Sequence, residues 1–157
     1  YNFELLKGVI AVNDQQFSLL AERIQRLAGG DLDGTVIAVW GLTFKAGTDD
    51  MRDSPALAVV RRLLDRGASV QAYDPTVTGQ LPPHAAHPGI EVCPDPYAAC
   101  AGASVLAVLT EWDEFRWLDF AKVAETMATP VIVDGRNLLD PTSLRRRGFV
   151  YQGMGRS

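Results

Sequence analysis

Residues 36–57, VIAVWGLTFKAGTDDMRDSPAL, decide the fold. The run from Val36 to Trp40 is too short for a helix and too evenly apolar for a strand with one wet face, so it predicts a strand buried on both sides. Gly41 breaks it, and a long polar turn follows. Ser54 before Pro55 then supplies a side-chain cap and a residue whose fixed φ suits the first helical turn. Gly67 is the matching stop. Strand, turn and helix in that order make one unit of a parallel sheet, because a strand can return parallel to itself only through a crossover.

The same texture recurs downstream. Val70 to Tyr73, Val105 to Leu109 and Val131 to Asp134 are further strand candidates, with Ile90 to Cys93 and Phe149 to Gln152 as weaker outer ones. Asp95 with Pro96 and Asp140 with Pro141 repeat the helix-entry chemistry. The predicted fold is α/β, a doubly wound, mostly parallel, Rossmann-like sheet of about five or six strands. The proline-rich stretch from Pro75 to Gly89 reads as an exposed, mobile connection.

Upstream, Leu6, Ile10, Phe17, Leu20, Ile24 and Leu27 share one face of a long helix running from Tyr1 to about Ala28. Leu5, Val9 and Val12 add a second apolar face, as expected of a helix covered on two sides. The organisation read from this is 1–29 as a long helix and 30–157 as the α/β domain; that 1–29 is the end of a central, dimerising helix is an expectation that rests on the resemblance given below. No capping residue beyond Asn2 leads into the helix, so the chain is expected to be a fragment of a longer protein.

Composition narrows the classes. At 157 residues, 47% of them apolar, the chain suits one compact domain. The formal net charge of −4 disfavours tracking of nucleic-acid backbones. No apolar run is long enough to span a bilayer and no signal-peptide pattern opens the chain, so a soluble cytoplasmic protein is expected. Cys93 and Cys100 lack the further ligands of a zinc site and read as free thiols.

In a parallel sheet the ligand crevice lies outside the carboxyl ends of the strands. Lys45, Arg52 and Arg136 fall at such ends and predict one hollow sized for a pyrophosphate, which needs point charge and forked hydrogen bonds together. The plainer reading pairs Arg52 with its neighbouring aspartates and uses Arg136 to tie down a loop. Asp49, Asp50 and Asp53 complement the dipole of the helix they precede. Phe44 and Trp112 are candidate clamps for a flat ring or simply core. Asp74 is either a ribose acceptor or a turn former, and without a G-x-G-x-x-G fingerprint after the first strand it is not assigned to NAD. His84 and His87 have no third ligand nearby, Arg145 to Arg147 suit a helix end, and neither cysteine has a base beside it.

Gly41-Leu42-Thr43-Phe44-Lys45 and Thr48-Asp49-Asp50-Met51-Arg52-Asp53-Ser54-Pro55-Ala56-Leu57 closely resemble the carboxyl-terminal domain of the UDP-glucose and GDP-mannose dehydrogenase family. Tyr73-Asp74-Pro75, Thr110-Glu111-Trp112-Asp113-Glu114-Phe115, Asp134-Gly135-Arg136-Asn137 and the closing Gly148, Phe149, Tyr151, Gly153 and Gly155 follow in the family's order, and Val12, Asn13 and Gln16 resemble the tail of its long central helix. The Thr-Glu-Trp and Asp-Gly-Arg-Asn segments are most similar to the branch that acts on UDP-glucose. The resemblance implies oxidation of a nucleotide sugar with NAD through a cysteine-bound intermediate, the cysteine and the glycine-rich NAD domain having no counterpart here. It implies that Phe44, Lys45 and Arg136 contact the UDP-sugar, that Arg52 reaches NAD bound mainly by a missing amino-terminal domain, and that the helix forms a homodimer. The chain departs from the family pattern at Trp40, Thr43 and Asp53, which bears on loop geometry. Two rivals stand beside this reading: a phospho-receiver-like module, whose acidic pair would sit at the strand end itself, and a structural domain with an empty crevice.

Overall fold

The structure, a computed structural model, describes residues 3–155, with residues 3–12 described by backbone alone. Tyr1 and the side chains of Leu5, Leu6, Val9, Ile10 and Val12 lie outside the described residues.

A long helix α1 (Phe3–Leu27) precedes β1 (Val36–Trp40), α2 (Pro55–Asp65), β2 (Ser69–Tyr73) and β3 (Ile90–Val92). There follow α3 (Pro96–Ala99), β4 (Val105–Val108), a 3-10 turn over Asp113–Trp117, α4 (Phe120–Thr126), β5 (Val131–Asp134), α5 (Pro141–Arg146) and β6 (Val150–Gly153). The six strands are parallel in the order β3-β2-β1-β4-β5-β6. The direction of winding reverses between β1 and β4, which is the switch point of a doubly wound sheet.

Strand alternation sorts the core into two layers. Ile37, Val39, Val70, Ala72, Val105 and Val133 meet Leu57, Val60 and Leu63 of α2 and Leu20, Ala21 and Ile24 of α1. Ala38, Trp40, Leu106, Val108 and Ile132 face the other way, onto Ala99, Phe115, Phe120, Val123 and Leu144. Both faces are covered, which is why the strands read as unbroken apolar runs. Arg62 of α2 fastens the two helices of the first layer. It donates to Ser18 Oγ at 3.1 Å, pairs with Asp14 and lies 5.6 Å over the Phe17 ring.

Helix entries follow the cap chemistry. Ser54, Asp95 and Asp140 each accept a backbone N–H at the start of α2, α3 and α5, and a proline fills the first turn of each. The connection from Pro75 to Gly89 is less free than its composition suggests. Val77 and Ala85 are buried in the first layer, and Arg61 donates to the His84 carbonyl at 3.0 Å.

At the outer edge, β6 turns two carbonyls away from β5, and each meets a guanidinium. Arg145 donates to Tyr151 O at 3.1 Å and Arg23 donates to Gly153 O at 3.0 Å. Arg145 to Arg147 were expected at a solvated helix end; they do close α5, and Arg145 adds this bond.

Candidate functional site at the carboxyl edge of the sheet

The turn after β1 is held from three sides. Asp74, at the end of β2 and 1% exposed, accepts from Leu42 N–H at 2.7 Å and Thr43 N–H at 3.2 Å through Oδ2, and from Thr76 N–H and Oγ1 through Oδ1. Its carboxylate therefore faces inward, which settles the choice between ribose acceptor and turn former in favour of the turn. From β4, the Thr110 hydroxyl donates to the Thr43 carbonyl at 3.0 Å. From α2, the Ser54 hydroxyl donates to the Leu42 carbonyl at 2.8 Å while accepting from Leu57 N–H. Ser54→Ala removes a cap and strands a buried carbonyl, so a loss of about 1–2 kcal/mol in urea unfolding is expected.

These ties bury Leu42 and Thr43 and leave the next two residues outside. Phe44 is 48% exposed, and Lys45 is exposed, its ammonium without a hydrogen bond or ion pair among the described residues. The three positions expected to depart from the family pattern lie in or beside this turn. Trp40 is fully buried and donates through Nε1 to Pro96 O at 3.0 Å. Thr43 Oγ1 donates to the Lys45 carbonyl, and Asp53 sits at φ 54°, a conformation that short polar side chains tolerate.

A second buried carboxylate builds the loop after β5. Asp134, wholly buried, accepts from Arg136 N–H at 3.1 Å, Leu139 N–H at 2.8 Å and the Tyr151 hydroxyl at 2.8 Å. Asn137, at φ 53°, exchanges two 2.7 Å bonds with the Met154 backbone. Arg136 emerges between these anchors, and its Nε–H pairs with Glu111 at the end of β4. It borders an apolar hollow of about 260 Å³ with Phe17, Leu20, Pro55, Val59 and Leu109.

Arg52 lies elsewhere. Its Nε–H donates to Asp50 Oδ1 at 3.1 Å and its Nη2 reaches Oδ2 at 3.4 Å, with the side chain 79% exposed. These bonds hold the Asp50 carboxyl below its ordinary value and raise the guanidinium. Arg52 borders a separate hollow of about 460 Å³ with Asp49, Thr76, Gln80 and His84. The three cations thus share an edge of the sheet without sharing a hollow: Arg136 borders one, Arg52 another, and Lys45 neither. Arg52 carries the ion pair of the plainer reading, Arg136 carries one with Glu111 that was not expected, and at this exposure such pairs contribute little to stability.

The remaining candidates resolve simply. Trp112 packs against the second core layer, and its buried Nε1 has no partner among the described residues. Cys93 and Cys100 are free and buried, and burial pushes the Cys100 thiol up to about 12, so it stays protonated and unreactive. No group of three or more metal-ligating side chains occurs among the described residues. The sequence reading missed the anchoring roles of Asp134 and Ser54's link to Leu42, and it missed Glu111 as the partner of Arg136. An acidic residue closing a wholly apolar strand was the available signal for Asp134, since burial there demands donors.

The model of the UDP-glucose/GDP-mannose dehydrogenase family, UDP binding domain, matches residues 38–141. The chain belongs to this family. Members related to it include the UDP-glucose 6-dehydrogenase of Rhizobium meliloti, 45% identical over 152 residues that cover 97% of this chain and 34% of the relative. The UDP-glucose 6-dehydrogenase of Pseudomonas aeruginosa is 42% identical and is covered to 35% of its length. The chain thus spans about a third of these family members. Among solved structures, a UDP-glucose dehydrogenase from Pyrobaculum islandicum superposes with a TM-score of 0.72 at 28% identity, over 96% of this chain and 32% of that one. The UDP-N-acetyl-mannosamine dehydrogenase of Staphylococcus aureus gives a TM-score of 0.77 at 25% identity, over 99% of this chain and 34% of that one. The matched range contains both anchored loops. No helix among the described residues is long and apolar enough to cross a membrane.

Proposed function

We propose that this chain is the nucleotide-sugar-binding part of a cytoplasmic, NAD-dependent UDP-glucose 6-dehydrogenase, which converts UDP-glucose to UDP-glucuronate in two successive hydride transfers. The observation that carries this reading is the 45% identity to such an enzyme across 97% of the chain. Three side chains at the carboxyl edge of the sheet support it by their chemistry: Phe44 offers an exposed ring, Lys45 an ammonium without a partner among the described residues, and Arg136 a guanidinium beside an apolar hollow that Lys45 does not border. Another branch of the family, acting on UDP-N-acetylmannosamine or GDP-mannose, is the second reading; the likeness to solved UDP-N-acetyl-mannosamine dehydrogenases of Staphylococcus aureus and Pyrococcus horikoshii favours the first of these two.

The switch-point crevice of this domain does not fit NAD. The turn that would cradle a pyrophosphate lacks the glycine fingerprint, and Asp74, at the ribose-acceptor position, is consumed by backbone donors. To Arg52, exposed on the surface, we assign the contact with a dinucleotide held by another domain, as the resemblance implies. Leu19, 47% exposed on α1, supports docking of that helix against further polypeptide or a second subunit.

Calorimetric titration with UDP tests the reading. Binding is expected, and Arg136→Ala is expected to weaken it by roughly 10- to 100-fold, the span of a hydrogen bond between charged groups. UDP binding no tighter than that of adenosine diphosphate would remove the functional reading. With UDP-glucose and NAD+ together, this chain alone is expected to give no rise in NADH absorbance, and turnover would refute its dependence on another domain.

A further inference from the structure

Arg136 donates through Nε–H to Glu111, while neither terminal nitrogen has a hydrogen bond to the described residues. A guanidinium carries five donors in a rigid fork, so where one carboxylate grips it determines which donors remain for a ligand. Arg52 shows the alternative: Asp50 takes it side-on, through Nε and Nη2 together. At Arg136 the bond is made by Nε–H alone, and both terminal nitrogens keep their donors. Glu111 and Arg136 meet because β4 and β5 are paired, with Val108 opposite Asp134. The backbone of Arg136 is already fixed by Asp134. Among the described residues the side chain has one bond to orient it, and Glu111 makes it.

We propose that Glu111 is a positioning residue that holds the Arg136 guanidinium with its terminal fork presented to the diphosphate of the nucleotide sugar. The proposal rests on the functional reading above for the identity of the ligand, and on the ion pair alone for the orientation. The carboxylate does not touch the ligand; it limits the rotamers that Arg136 must give up on binding, which lowers the entropic cost of the contact. A rival role is that Glu111 competes with the diphosphate for the same guanidinium, in which case its removal strengthens binding.

The two roles predict opposite signs. Glu111 is partly exposed, so its variants keep the fold. Under the proposal Glu111→Ala weakens UDP binding to this chain by roughly tenfold, the effect of one such oriented bond. Glu111→Gln restores most of the affinity, because its amide oxygen still accepts from Nε–H. In an Arg136→Ala background Glu111→Ala changes nothing further, since a residue acting through Arg136 has nothing left to orient. Tighter binding by Glu111→Ala, or an equal loss in the Arg136→Ala background, overturns the proposal. A second readout needs no ligand. The Arg136 Nε–H resonance, assigned by its loss in Arg136→Lys, exchanges slowly with water in the wild type and in Glu111→Gln, and rapidly in Glu111→Ala. Rapid exchange in the wild type overturns the proposal. Absence of UDP binding with a protected Nε–H refutes the functional reading and upholds the clamp.

Discussion

Asp134→Ala is expected to lower the unfolding free energy by about 3–5 kcal/mol, read from the midpoint of a urea transition at unchanged slope. The carboxylate is fully buried and satisfies three donors at once: the N–H groups of Arg136 and Leu139 and the hydroxyl of Tyr151. Removing it leaves those donors in an apolar layer beside Ile132 and Leu139 without their acceptor. Asp134→Asn keeps the volume and is expected to fall between, because one carboxylate oxygen becomes a donor facing donors. The loss should also reach the ligand. Arg136 leaves the sheet directly from this anchor, so UDP affinity is expected to fall with stability even at temperatures where the variant is folded. An Asp134→Ala protein as stable as the wild type would show that the loop after β5 is held by other means.

Gly41→Ala is expected to cost a similar 3–5 kcal/mol, for two separable reasons. Gly41 sits at φ +95°, where a side chain is strained whatever the space around it. An added Cβ would also lie 2.4 Å from Thr110 Cβ and 2.7 Å from Thr110 N, so the backbones of two paired strands would have to part. Gly47 supplies the control. It has φ +83° with nothing within 4 Å of a Cβ, so Gly47→Ala should show the conformational cost alone, on the order of 1 kcal/mol. Equal destabilisation by the two substitutions would mean that the close approach at Thr110 relaxes freely.

The fold was legible because its strands are covered on both faces. A run such as Val131 to Val133 has no polar position to confuse it, and Pro55, Pro96 and Pro141 mark helix starts whose caps are visible one residue earlier. The 3-10 turn over Asp113–Trp117 and α4 were not read. α4 buries only Phe120 and Val123, too few positions to display a helical period. Site candidates were legible as residues at strand ends, but not as an arrangement. Whether Arg136 shares a hollow with Arg52 depends on the direction in which each loop leaves its strand, and that direction is set by Asp74 and Asp134 through bonds spanning distant parts of the chain. Glu111 was quoted within a motif, yet its partner 25 residues on becomes evident only once β4 and β5 are known neighbours. Asp74 illustrates the converse: its position at the end of β2 invites a ribose, and only the inward turn of its carboxylate denies one.

The guanidinium groups over β6 bear on what happens when many copies are crowded together. A parallel sheet ends in a strand whose outward carbonyls solicit the amides of any passing extended segment, the first step in fibrous self-assembly. With Arg23 and Arg145 occupying those carbonyls, and β3 only three residues long at the opposite margin, neither border offers a long template. Because Arg23 belongs to α1, any cleavage or loosening that lets this helix swing away would also strip a guard from the sheet and leave the Gly153 carbonyl open to a passing strand.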